Sequence, residues 1–280
     1  MKRHFSLLFI LLPVISMAQF DYIDQKALYV THKIKSIISV YHDEDTNENR
    51  EIWKIDSTGR MISYQLHTLW GETYLGSTEW KYNGTLLSTC TDIGDYGKKN
   101  HKIDTARTIY LYNDSQLLVK TKFTWPIDED TLITEYKYIN GLIICESIFY
   151  GNYQNGYKTY SYEDIVSTKS KTVSITEFYN NNVSFIPFIK TMKYYDTLGI
   201  IQTEIEYNFI KECSIPSIIK TFIYDNGKLI RIKELYIVDD SDKPHEYNDE
   251  IFEYNEKGLV SKVLTINNGS SESYCTYEYE

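Results

Sequence analysis

Beyond its first eighteen residues this chain has no long apolar run, and no segment approaches the roughly 20 apolar residues that a membrane-spanning helix needs. Proline is scarce, at five in 280 residues, and no Gly/Ser-rich stretch interrupts the chain, so nothing marks a linker between domains. Cysteine is equally sparse. Cys90, Cys145, Cys213 and Cys275 lie too far apart for the framework of a small disulfide scaffold or for the close ligand spacing of a zinc site. Export, argued below, permits disulfides, and the spacing leaves both pairing and free buried thiols open. Positive charge is also short. There are 29 Lys and Arg against 39 Asp and Glu, and no basic cluster is longer than Lys98–Lys99. Nucleic acid and anionic lipid are therefore disfavoured as partners.

The motifs that position a nucleophile, a metal-activated water or a phosphate are missing. There is no Gly-x-Ser-x-Gly, His-Glu-x-x-His, glycine-rich phosphate loop or Cys-x-x-Cys. His32, His42, His67, His101 and His245 are scattered through polar segments, and solvent-exposed histidine is the preferred reading of each. Asp43, Asp45 and Asn47 offer oxygen ligands at alternate positions, as a calcium loop does. The central glycine and the bidentate glutamate of such a loop are replaced by Glu48 and Lys54, which favours an acidic solvated hairpin tip. A second acidic stretch, Asp239–Asp242, is shorter still. Carboxylate pairs for glycoside cleavage depend on the fold, because any acidic chain contains many combinations. The reading is of a protein that is not an enzyme and that needs no cofactor.

What is present begins at the N-terminus. Lys2 and Arg3 precede an apolar stretch from Phe5 to Ile15, and Ser16-Met17-Ala18 supplies small residues where a signal peptidase cuts. Residues 1–18 read as a secretory signal peptide, and 19–280 as a single mature domain. Its removal takes two cations and no acids, so the formal charge of −10 becomes −12. The protein is expected in the periplasm or outside the cell.

From Trp53 onward one phrase recurs: two aromatics at alternate positions, then Asp, Asn or Glu, then a glycine, then branched aliphatics. The clearest copies are Phe222–Ile230 and Phe252–Val260. Aligned on the second aromatic, the copies fall at Ile55, Tyr82, Tyr112, Tyr138, Tyr162, Tyr195, Tyr224 and Tyr254, with a half copy at Tyr277. Each has the length of one antiparallel hairpin. The turns support this independently, since Asp56–Gly59, Asp196–Gly199 and Asn255–Gly258 place Asx first and glycine fourth, as a type I turn followed by a left-handed residue requires. Gly84, Gly141 and Gly227 fill shorter versions. Asn113–Gln116 and Glu163–Ile165 lack the glycine, which leaves those boundaries less defined.

The expected fold is all-β: an antiparallel meander of hairpin repeats whose sheet curls or coils, with a closed barrel or a propeller as the alternative, because a sheet this wide cannot remain flat. The 27 tyrosines are explained by a cross-strand ladder whose hydroxyls reach water or a partner. Only residues 24–38 have the composition of a possible helix, and β-branched residues weaken that reading.

The phrase Tyr-x-Tyr-Asp/Asn-x-x-Gly-Leu, seen best at residues 222–230 and 252–260, resembles the YD repeat of the RHS family over roughly residues 50–280. The resemblance implies long antiparallel sheets coiled into a strip or shell, in secreted and surface proteins of bacteria. Trp70, Tyr74 and Trp125 break the alternation and fall in connections, where they could stack on sugars or anchor a protein. Asp104–Ala106, Asp130–Leu132 and Asp196–Leu198 are similar to a short O-glycosylation acceptor motif of exported proteins. The expected function is a non-catalytic binding or scaffold protein recognising a glycan or a protein at the cell envelope. The alternatives are a periplasmic immunity protein that masks a toxin and, behind it, a glycan-active enzyme. Intact-mass measurement of the exported protein is expected to give residues 19–280, and a secreted species retaining residues 1–18 would overturn the cleavage assignment.

Overall fold

The computed structural model describes residues 25–42, 49–68, 74–95, 103–124, 131–165, 170–181, 183–209, 215–237, 246–268 and 271–280. One short helix, α1 (Lys26–Thr31), precedes the sheet. Its first half is β1 (Ser36–His42), β2 (Asn49–Ile55), β3 (Met61–Thr68), β4 (Tyr74–Asn83), β5 (Leu86–Asp95), β6 (Ile103–Tyr112), β7 (Leu118–Thr124), β8 (Thr131–Ile139) and β9 (Leu142–Tyr150). Its second half is β10 (Tyr153–Ile165), β11 (Ser170–Asn180), β12 (Phe185–Tyr195), β13 (Ile201–Asn208), β14 (Pro216–Asp225), β15 (Lys228–Tyr236), β16 (Glu246–Tyr254), β17 (Val260–Asn267) and β18 (Ser271–Tyr279). The helical expectation for residues 24–38 holds only for α1. Ile37 and Ile38 belong to β1, where two strand partners outweigh weak helix propensity.

The turns have the expected chemistry. Asp56 Oδ1 accepts the backbone N–H groups of Thr58 and Arg60 at 2.8 and 3.0 Å, and Asn255 Oδ1 accepts those of Lys257 and Leu259 at 3.0 and 3.1 Å. Asp196 does the same for Leu198 and Ile200. Asn113–Gln116 builds this turn too, without glycine: Gln116 takes the left-handed conformation at φ 62° and its N–H reaches the Asn113 carbonyl at 2.9 Å. The copy at Glu163–Ile165 differs. β10 runs through it to Ile165, and the reversal falls within 166–169, outside the described residues.

Pairing registers slip by one residue beside the second aromatic position at Ile55, Tyr82, Tyr112, Tyr138, Tyr195, Tyr224 and Tyr254. Each slip is a β-bulge just ahead of a turn, and bulges bend the strand and strengthen its twist. The bulged tyrosine then reaches sideways into the preceding hairpin. Tyr82 Oη donates to the Met61 carbonyl at 2.8 Å, Tyr138 to Leu118 at 2.8 Å, and Tyr254 to Leu229 at 2.7 Å. Tyr162 bonds Ile143 and Tyr279 bonds Val260 in the same way. The last copy therefore aligns on Tyr279 rather than Tyr277.

With this curvature repeated, the sheet closes, so the alternative architecture, a barrel, is the one adopted. Every strand pairs antiparallel with its sequence neighbour, and β1 joins both β2 and β18, through Ile37–Trp53 and Ile37–Tyr279. Backbone bonds exchanged between Ser36 and Glu280 complete the seam. Alternation sends the buried residues Ile37, Trp53, Tyr64, Phe222, Ile232, Phe252, Val263 and Tyr277 to the inner face. Lys122, Lys137 and Lys233 stand exposed on the outer face, where a lipid-facing wall would lose about 2–4 kcal/mol per charge. The outer wall is built for water.

Up-and-down connectivity makes the two ends different. The eight turns that begin at β2–β3 and recur at every second connection share one end with α1 and the C-terminus. The connections at the other end include residues 43–48, 69–73, 96–102, 125–130 and 238–245. α1 packs at the tight-turn end beside the seam, with Tyr29 buried and its ring centroid 6.3 Å from that of Tyr279.

Gly59 has φ +78°, and an added Cβ would meet the Lys26 carbonyl oxygen at 2.8 Å and Val30 Cγ2 at 3.0 Å, whereas Gly227, at the same φ, faces open space. Gly227→Ala should lose roughly 1 kcal/mol from backbone strain alone, and Gly59→Ala about 2–4 kcal/mol because α1 must also move. Urea unfolding midpoints check this. Equal losses would show that α1 does not press on the β2–β3 turn.

Candidate functional site

Two regions of the barrel carry functional chemistry: its inner face and its long-loop rim. The inner face is layered along the strands. Nearest the tight turns lies a girdle of tyrosines, whose hydroxyls are pushed up by burial at Tyr82, Tyr112, Tyr138, Tyr162, Tyr224 and Tyr254, the last to about 12. A titratable band follows toward the other end. Lys158–Glu177, Lys193–Glu204 and Lys220–Glu234 pair across neighbouring strands at 2.8, 3.0 and 3.0 Å. Burial disfavours the charge on Lys220, but Glu234 outweighs it and holds the lysine above its usual range.

Three carboxylates in this band lie above the ordinary range, with burial as the leading cause. Glu51 accepts hydrogen bonds from Ser39 and Tyr64, both at 3.0 Å, and these only partly offset its desolvation. Asp92 accepts from Thr78 at 2.6 Å, and Glu206 sits near Ser217. Burial likewise pushes the Cys90 thiol up to about 12, leaving it protonated and unreactive. Cys90, Cys145 and Cys275 are free thiols, while Cys213 lies outside the described residues. The carboxylates of this band are spread around the wall and tied to separate hydroxyl donors.

The rim is different. Between β9 and β12 it exposes Tyr150, Tyr153, Tyr179, Val183 and Phe185. Register puts Tyr153 opposite Tyr150, and Gly156 between Ile148 and Tyr179. On the outer side Tyr157 stacks on Phe178 at 4.5 Å, with Phe185 edge-on at 5.0 Å. Two bulges bend the wall here, one between Gln154 and Gly156 and one opposite Phe178 in β12. Gly156 is required by close approach, since a Cβ would lie 2.5 Å from the Phe178 carbonyl oxygen.

Of the residues expected from sequence to bind, Trp70 and Trp125 lie outside the described residues. So do the calcium candidates Asp43, Asp45 and Asn47. Tyr74 opens β4 at the same long-loop end. The turn glycines Gly59, Gly84, Gly141, Gly199, Gly227 and Gly258 all have positive φ, as their turns demand. The β9–β12 aromatics escaped the sequence reading because each fits ordinary strand alternation. A usable signal was present: residues 147–157 and 178–189 contain no charged side chain, in a chain whose residues are 24% charged.

No protein-family model matches this chain, and no curated protein does. Among solved structures it is similar to a TcdB2–TccC3–Cdc42 complex at 13% identity, covering 84% of this chain and 14% of that one, with a TM-score of 0.41. A second TcdB2–TccC3 structure is matched at 7% identity over 80% of this chain and 14% of the other, with a TM-score of 0.23. A Bacteroides fragilis protein of unknown function is matched at 11% identity over 47% of this chain and 78% of that one, also at 0.23. Likenesses this loose carry no functional argument, and the chain spans about one seventh of the first structure's length.

Because Glu51 is charged at a cost in the folded protein, Glu51→Gln should raise the melting temperature at neutral pH. As pH falls through the raised Glu51 value, wild type gains the missing proton and the gap narrows. It should be gone below 4.5, the ordinary glutamate value, where both states are protonated. A variant less stable than wild type at neutral pH would show that the hydrogen bonds, not the buried charge, dominate.

Proposed function

We propose that this is an exported, non-catalytic binding scaffold of the cell envelope, in which the closed barrel holds the β9–β12 sector of its rim in place for recognition. The observation that carries this reading is the group of exposed aromatic side chains between β9 and β12, with Tyr150, Tyr153 and Tyr179 each about two-fifths exposed on one sector of the rim. Exposed aromatics gathered in one place favour a partner, since scattered single ones are the normal condition of a surface. Rigidity favours it as well. Tyr179 stands edge-on to Phe188 at 5.7 Å and Phe185 edge-on to Tyr157 at 5.0 Å, beside bulges and a hydrogen-bonded turn, so these rings lose little conformational entropy on binding. A toxin inhibitor would instead need an acidic docking face, and this sector is uncharged.

Mature protein should sediment with native envelope fractions, and Tyr153→Ala combined with Phe185→Ala should weaken that adsorption by about tenfold or more, given the energetic weight of buried aromatics at interfaces. Leu198→Ser, 81% exposed in a turn at the opposite end, serves as the control and should adsorb as wild type does. Equal adsorption by all three would overturn the rim assignment.

A further inference from the structure

Resting on that reading of the rim, we infer that the β9–β12 sector is a binding subsite for a neutral glycan chain. Segments 147–157 and 178–189 are the observation that selects the ligand. They are brought side by side by the β9–β10–β11–β12 pairings, and neither contains an acid or a base. Beyond the Lys158–Glu177 ion pair, which faces the same side two residues further in, this end of the wall offers ring faces, amides and hydroxyls. The nearby Lys158 and Glu177 already neutralise each other at 2.8 Å, so acidic polysaccharides, phosphates and charged peptides are poor ligands for this surface.

What it offers matches a sugar on both counts. The C–H faces of a hexose pack on aromatic rings, and Tyr150, Tyr153 and Tyr179 present such rings at 41%, 46% and 40% exposure. Tyr150 and Tyr179 stand on strands two apart, a lateral step of about 10 Å, which suits two linked hexoses. Gly156 lies opposite Tyr179, and its missing Cβ lets the β10 and β11 backbones approach closely, which fixes where the Tyr179 ring stands. Sugar hydroxyls need donors and acceptors in the same plane as the stacking faces, and Asn152, Gln154, Asn155, Asn180 and Asn181 border them.

The amides are already ordered. Asn180 Nδ2 donates to the Gln154 carbonyl at 2.9 Å, tying β11 to β10 across the bulge. Asn181 Oδ1 accepts the N–H groups of Val183 and Ser184 at 3.0 and 2.8 Å, and so holds the turn that presents Phe185. A peptide adding itself as a further strand is excluded here, because a closed ring leaves no sheet edge to pair with.

The test uses the mature chain and native envelopes, treated beforehand either with periodate, which destroys sugar diols, or with protease. Adsorption is expected to survive protease and to fall about tenfold after periodate. In native gels cast with neutral polysaccharides the protein should be retarded, with no retardation by a polyuronate. Tyr179→Ala should weaken that retardation about tenfold, and Tyr153→Phe, which keeps the ring, should retain most of it. Adsorption that survives periodate but not protease would overturn the glycan inference while leaving the rim as a protein-binding site. Adsorption indifferent to the rim substitutions would overturn both. Equal retardation by the polyuronate would show that charge neutrality does not select the ligand.

Discussion

A single contact, repeated around the wall, sets the shape of this protein: a tyrosine near the tight-turn end donates its hydroxyl to a carbonyl in the preceding hairpin, from a β-bulge at Tyr82, Tyr138 and Tyr254 and from a regular strand at Tyr162 and Tyr279. A hairpin alone is marginal in water, and one such bond adds only about 1 kcal/mol. The contact matters because it couples units. Each ring is packed beneath the neighbouring turn, and its hydroxyl can be satisfied there only if the two hairpins keep a fixed offset. The bulge that turns the tyrosine sideways also bends the strand. At Tyr82, Tyr138 and Tyr254 offset and curvature thus come from the same residue, and the bulges repeated around the sheet help bring β18 back to β1.

Closure then determines what the molecule can present. Ring pairing removes the edges through which a wide sheet would aggregate. It also separates two environments: a tight-turn end sealed near the seam by α1, and a rim of longer connections at the far end. The inner band of ion pairs and half-satisfied carboxylates tolerates burial because hydroxyl donors such as Ser39, Tyr64 and Thr78 are built beside them. Where β9 to β12 reach the rim, segments 147–157 and 178–189 carry no charged side chain and expose Tyr150, Tyr153 and Tyr179.

Much of this was legible in the sequence, and the reasons are local. Hairpin turns are coded by a few residues in a row, so Asp56–Gly59 and Asn255–Gly258 could be placed from Asx and glycine alone. The bulges sit on the aligned aromatic positions for the same reason. At Tyr162, where the phrase decays, the bulge is also missing and the strand runs on. Gln116 shows the limit of reading glycine as obligatory: a bonded Asx turn holds a long side chain at positive φ. Closure was harder to read, because it depends on curvature summed over all hairpins, and Ile37, a residue of ambiguous local preference, is its keystone. The rim site was hidden because exposure is a tertiary property. Tyr153 and Tyr277 look alike in sequence, yet one lies open at the rim and the other is 7% exposed in the wall.

The seam between β1 and β18 also constrains how the chain acquires its structure. Ile37 pairs with Tyr279, so the ring closes between the first and last strands of the sheet. Hairpins can form as soon as their own residues are available, but the last pairing must wait for the final strand and then close the longest loop the chain contains. Until that moment β1 and the growing end of the sheet are both open edges. The vulnerable interval in the life of this molecule is therefore its assembly, and truncation of only a few C-terminal residues would extend it indefinitely.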